Sequence, residues 1–356
     1  MKKTGFIILT VVVVIITAFR STSALSVEPA AAVPDSVMRS VYEEAKTPYK
    51  YGVVMRGGKG TKVDSPSVFR YGDRWYMVYI VFNDLGYYTS LAVSDDLLTW
   101  RARGIILDQG SGGWDTMQAA GYIALQDPVW GGTNELATHD GDYWMSYLGG
   151  ALEGYETEPL SIGMAHTNIP DAPYPWMRIS QNPVLFTDQP DTRWWEKATL
   201  YKSSVLLDQN RTLGHPFVMF YNAKTEGVER IGMAVSDDMK RWRRYGDDPL
   251  IDNGSGISGD PQVVRMGDVW VMFYFGAFWR PGAFDTFACS YDLVHWTKWT
   301  GPDLIASSEP WDAKYAHKPW VIKHDGVVYH FYCAVGDEGR VIALATSEDV
   351  RGVKSK

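Results

Sequence analysis

A degenerate repeat runs through most of this chain, and it constrains the fold more than any other feature. One half of the repeat is a polar turn followed by an alternating aromatic strand. It reads Tyr71-Gly72-Asp73-Arg74-Trp75-Tyr76-Met77-Val78-Tyr79, and again Asp140-Gly141-Asp142-Tyr143-Trp144-Met145-Ser146-Tyr147. Further copies stand at residues 217–221, 267–274 and 325–332. Gly and Asp tolerate the positive φ of tight hairpin turns, and aromatic and β-branched residues suit a pleated surface. The other half is a small-residue strand, a Ser-Asp turn and a Trp, at residues 92–100, 234–242 and 288–296, with shorter versions at 345–349 and 165–168. Ser and Asp side chains in such turns accept hydrogen bonds from amides two residues on, and the Trp covers the outer strand. Together the halves make a four-stranded antiparallel unit, and five units predict an all-β, five-bladed β-propeller. There is no sixth copy. Gly and Pro interrupt every window long enough for a competing helix.

The ends of the chain read differently. Lys2 and Lys3 precede an apolar run from Phe6 to Phe19, Arg20 ends it, and Thr22-Ser23-Ala24 supplies small residues for cleavage after Ala24. The run is short for a bilayer span, so residues 1–24 are expected to be a cleaved signal peptide that leaves no stable membrane anchor. Residues 25–45, rich in Ala, Pro and Val, read as a linker, and residues 46–356 as the catalytic propeller. The chain is therefore expected to be periplasmic or secreted. Cys289 and Cys333 both lie in apolar runs and are expected as buried free thiols. The net charge is −8 with no long basic run, which argues against a nucleic-acid partner. Fifteen Trp and 21 Tyr are mostly sheet packing, with a minority free to stack on sugar rings. A monomer is expected.

In a propeller the inner strands converge on one axis, so polar residues at their starts share a pocket. The candidates are Asp64 in Val63-Asp64-Ser65-Pro66, Glu196-Lys197 after Trp194-Trp195, then Lys202, Asp260 in Gly259-Asp260-Pro261, and His317-Lys318-Pro319-Trp320. Asp127 and Glu135 precede the second aromatic strand and read first as structural, with Glu135 kept as a candidate sugar contact. Trp130, Trp195, Trp279 and Trp320 lie near these loops as candidate stacking platforms. Tyr155 and Glu156 sit on a Gly-rich loop expected to form one pocket wall.

An acidic residue at or just before a Pro at the start of an inner strand, then a Gly-Asp turn and an aromatic strand, resembles the five-bladed glycoside hydrolases of family 43. Relatives in families 117 and 130 share the pattern, which covers most of residues 50–350. The resemblance implies an exo-acting, inverting hydrolase of an arabinofuranoside, xyloside, galactoside or similar glycan. It implies Asp64 as the base that activates water and Asp260 as the acid that orients the sugar or tunes a pKa. Glu196 is the proton donor a family 43 enzyme would use, and His317 the one a family 117 relative would use. Lys197, Lys202 and Lys318 counter the acidic charge or grip a substrate carboxylate. The plainer readings stay open: Asp64 and Asp260 as turn caps, Glu196 as an ion-pair partner of Lys197, His317 as core packing. Two other functions stay open as well, a family 130 phosphorylase and a carbohydrate-binding propeller without catalysis. No cofactor is required, and no metal ligand set is evident, although the axis leaves room for a structural Ca²⁺.

Overall fold

The computed structural model describes Met1 and residues 32–352, so the expected signal peptide lies outside the described residues. The described strands fall into five antiparallel sets in chain order. The first set is β2 (Lys62–Tyr71), β3 (Arg74–Phe82), β4 (Tyr87–Ser94) and β5 (Arg101–Leu107), preceded in the chain by β1 (Tyr49–Met55). The second is β6 (Gln118–Ile123), β7 (Tyr143–Gly150), β8 (Ser161–Thr167) and β9 (Met177–Arg178). The third is β10 (Thr199–Leu207), β11 (Phe217–Thr225), β12 (Val228–Ser236) and β13 (Arg243–Tyr245). The fourth is β14 (Ile257–Met266), β15 (Val269–Ala277), β16 (Ala283–Ser290) and β17 (Thr297–Lys298), with the short β18 (Ile305–Ala306) also on β16. The fifth is β19 (Tyr315–His324), β20 (Val327–Gly336) and β21 (Gly339–Thr346), completed by β1 from the start of the chain. Pairing the first strand with the last set ties the two ends of the domain together.

The five first strands touch in a cycle: β2 meets β6, β6 meets β10, β10 meets β14, β14 meets β19, and β19 returns to β2. Apolar layers between neighbouring sets close the same cycle. Tyr76 and Val78 pack on Met145 and Tyr147, Trp144 on Met219 and Trp242, and Phe220 and Val235 on Met272. Phe273 and Val271 then pack with Val321, and Trp320 and Phe331 with Trp75 and Met77. The alternating aromatics of the repeat are therefore mostly this inter-sheet filling.

The Ser-Asp turns form as the residue types require. In three of them the Ser Oγ accepts the amides two and three residues on, the Asp Oδ1 accepts the next two, and the Trp Nε1 donates back to the turn. Both cysteines are buried and free.

One segment departs from expectation. The stretch read as a linker ends in helix α1 (Asp35–Ala45), which buries Met38, Val41 and Ala45 against Val264, Phe287 and Val321. Those residues stand three and four apart, on one helical face. Eleven residues were too few to show against the Ala/Pro-rich background, and the docking surface that stabilises the helix comes from sequence more than 200 residues away.

Candidate active site

The site is built on a distortion shared by four of the five first strands. In β2, β10, β14 and β19 two residues face a single partner residue, at Ser65-Pro66, Tyr201-Lys202, Asp260-Pro261 and Lys318-Pro319. Such bulges bend a strand and re-aim its side chains, and they recur beside active sites. Ser65, Asp260 and Lys318 all take left-handed φ values (39°, 53° and 63°), a strained conformation for non-glycine residues. The proline that follows each disfavours the ordinary helical alternative. Asp260 therefore corresponds in place to Ser65 and Lys318, one residue beyond the position of Asp64 and His317.

Asp64 is 1% exposed and its oxygens are saturated. Oδ2 accepts from the Tyr155 hydroxyl (2.7 Å), Arg340 Nη1 (2.9 Å) and Lys318 Nζ (3.2 Å), and Oδ1 from the Ser65 amide (2.8 Å). Burial alone would raise its pKa, but Arg340 and Lys318 hold the carboxyl well below its usual range. Lys318 also donates to Glu156 Oε1 (2.9 Å). Burial would lower the lysine, yet Asp64 and Glu156 keep its ammonium well above the ordinary value. Glu156 remains partly open to solvent, with a side chain 29% exposed.

The sequence did not single out Glu229, at the start of β12. It is 9% exposed, accepts from Asn222 Nδ2 (3.0 Å), and sits where a single parallel pairing with Ile257 joins the third set to the fourth. Burial, then the nearby Glu156, and to a lesser degree Asp260, push its carboxyl up to about 8. Asn222 in turn accepts the Asp260 amide through its Oδ1 (3.3 Å), so one amide side chain ties the two acids together. Tyr201 donates to Glu158 (2.9 Å), which also pairs with Lys224. The cluster thus sets one carboxyl pushed up to about 8 beside others paired with Lys and Arg side chains. That separation of acid and base character is what glycosidic cleavage demands.

The other expected residues divide. His317 belongs to the cluster but not as an acid: Nδ1 donates to the Cys333 carbonyl (3.2 Å) and Nε2 faces Arg340 (3.5 Å). Burial and the charges of Arg340 and Lys318 keep the ring neutral. Asp260 belongs too, accepting from Ser65 Oγ (3.2 Å) beside Lys202 (3.5 Å). Glu196 does not. It is 0% exposed and bound to Arg244, to the Tyr221 hydroxyl and to the Arg193 amide, and it has no opening toward a substrate. Trp195 stacks on Tyr221 in the same core (5.8 Å), close over Gly232, and is no sugar platform. Lys197 is exposed on the loop before β10. Trp320 is buried below Lys202 and donates to the Val68 carbonyl (3.0 Å). Trp130 donates to Glu44 of α1 (2.8 Å), and Glu135 lines a cleft of about 380 Å³ with Asp127 and Arg265. Both lie at the far ends of the first strands, away from Asp64. Trp279 does stand at the correct end, half-buried, donating to the Ile257 carbonyl (3.0 Å) next to the exposed Phe278. Among the described residues, no group of three or more His, Cys, Asp or Glu side chains is arranged to hold a metal ion.

No protein-family model and no curated protein matches this chain. Two solved structures are each 47% identical to it over 89% of this chain and 96% of theirs. One is a complex of BT0996 with RGII (TM-score 0.86), the other is described as "Glycoside hydrolase" (TM-score 0.85). A thermostable family-43 glycoside hydrolase, 16% identical over 83% of this chain and 91% of its own, shares the fold (TM-score 0.59).

Proposed function

Because this chain belongs to the glycoside hydrolases, we propose that Glu229 and Glu156 form its acid and base pair. The observation that carries this is Glu229: a carboxyl pushed up to about 8 near the partly open Glu156, at the junction of the third and fourth sets. Protonated Glu229 donates to the leaving glycosidic oxygen, and Glu156, paired with Lys318, takes a proton from the water that attacks the anomeric carbon. Asp64 then serves as the anchor that positions Lys318, Arg340 and Tyr155, because its saturated oxygens make it a poor base.

In this reading the five strand sets are the blades of a five-bladed propeller, supported by the cycle of contacts among their first strands. The substrate is a glycan of the RGII kind, the ligand named for the 47% identical complex. Exo action fits a cluster whose carboxylates are largely buried and open to a terminal sugar. Inversion is the outcome that the family 43 resemblance implies. Water is favoured over phosphate as acceptor, since Lys318 and Arg340 are already engaged by Asp64 and Lys202 by Asp260. Export through residues 1–24 would bring the enzyme to such a glycan.

The test is product release from RGII fragments, with and without phosphate, followed by NMR for the first-formed anomer. Glu229→Gln and Glu156→Gln should each lower kcat/KM by roughly 10²–10⁴. Turnover at the wild-type level in either variant refutes the pair.

A further inference from the structure

Lys202 is a buried charge at the centre of the cluster that this mechanism leaves unused. It occupies the second residue of the β10 bulge, the place held by Pro66, Pro261 and Pro319 in the equivalent strands. The bulge turns its side chain onto the common centre, where it is 1% exposed. Its Nζ lies 3.5 Å from Asp260 Oδ2 on β14, 5.1 Å from the Tyr122 ring on β6, and 5.7 Å from the Trp320 ring on β19. Ser65 of β2 donates to the same Asp260 oxygen (3.2 Å). Four of the five first strands therefore meet at one ammonium, β2 reaching it only through Asp260, and it has no conventional hydrogen-bond partner.

A buried ammonium held only by one carboxylate and two aromatic faces is a costly way to fill a core. A methionine of similar length would pack there without that cost. The charge itself must serve a purpose. We propose that Lys202 is a built-in axial cation, a positioning residue that holds the Asp260 carboxyl in place beneath the bound sugar. It stands where the sequence left room for a Ca²⁺ ion. The surrounding titratable groups are Asp64 on β2, His317 and Lys318 on β19, Glu156 on its loop, Glu229 on β12 and Asp285 on β16. Lys202 is the cation beside Asp260, so its loss leaves that acid without its counter-charge. Asp260 is one of the negative neighbours that push the Glu229 carboxyl up, so Asp260→Asn lets Glu229 ionise at lower pH, whereas loss of the Lys202 cation shifts it the other way.

The inference rests on Glu229 as the acid, and the test separates the two claims. In the wild type kcat/KM should fall on the alkaline side with an apparent pKa near 8. A missing alkaline limb, or one that persists in Glu229→Gln, overturns the acid assignment alone. In Asp260→Asn that limb should move down by about half a pH unit or more, the effect of removing one neighbouring negative charge, and in Lys202→Met, which takes the cation away from Asp260, it should move up. The double variant should move it no further than Asp260→Asn. A limb that stays in place in either single variant, or a double variant that shifts further, overturns the axial-cation proposal. Thermal unfolding gives a readout independent of activity. The double variant should melt above either single variant, because each single variant strands a buried charge. A double variant no more stable than Lys202→Met refutes the pairing. Should Lys202→Met not fold, Lys202→Gln replaces it in the same comparisons.

Discussion

Replacing Glu229 by Gln should lower hydrolysis by roughly 10²–10⁴ while making the protein more stable at neutral pH. Gln has the shape of the protonated acid, and its carbonyl can still accept from Asn222. The folded carboxyl sits at about 8 against an ordinary value of 4.5. Between those two values the native state holds a proton that the unfolded chain has lost. Stability therefore falls as pH rises through this window, at about 1.4 kcal/mol per pH unit. Below pH 4.5 both states are protonated and the penalty vanishes. At pH 7 it amounts to roughly 3 kcal/mol, and above pH 8 it levels off near 5 kcal/mol. Gln carries none of it. Denaturant unfolding of both proteins across pH 4–9 measures the difference directly, and it should grow through the window and then flatten. A constant difference, or a variant that is less stable at every pH, would sink the account of Glu229 as a carboxyl kept neutral by burial and by Glu156. An aryl glycoside with an acidic phenol, which needs no protonation to leave, should recover much of the lost rate.

Other perturbations probe the rest of the arrangement. Arg244→Met strands the buried Glu196 carboxylate and should cost about 3–5 kcal/mol in unfolding free energy, while the alkaline limb of the folded variant's activity stays in place. Arg340→Met removes a cation from Asp64, whose depressed pKa means stability present above the ordinary carboxylate range and lost as pH falls through the folded value. The variant should therefore acid-denature at higher pH than the wild type, as circular dichroism would report. Phe278→Ala, on the exposed aromatic rim beside Trp279, should raise KM for glycan fragments about tenfold and leave the melting temperature nearly unchanged. If Lys202 supplies the central positive charge, a chelator should leave activity unaltered.

The repeat determined most of the architecture, because hairpin turns and Ser-Asp turns are closed by neighbours within a few residues. Ser94, Ser236 and Ser290 make the same bonds for that reason. The bulge sites were also legible, as polar residues before Pro66, Pro261 and Pro319, and Tyr155 and Glu156 of the Gly-rich loop meet Asp64 and Lys318. Glu229 is hidden because Glu226-Gly227-Val228-Glu229 reads as an exposed hairpin tip on a third strand, while the polar residues ahead of the inner strands point to Glu196. What seals Glu196 is Arg244, 48 residues on, and what buries Glu229 is the junction with Ile257 of the next set. Trp195 and Trp320 likewise carry no mark that separates a core ring from a sugar platform. Local chemistry is written in adjacent residues, so the sequence alone settled the strands, their turns and the strained pre-proline positions. Desolvation and charge pairing depend on groups brought together from distant segments. Only the assembled tertiary structure decided which carboxyl keeps its proton and which carboxylates are neutralised.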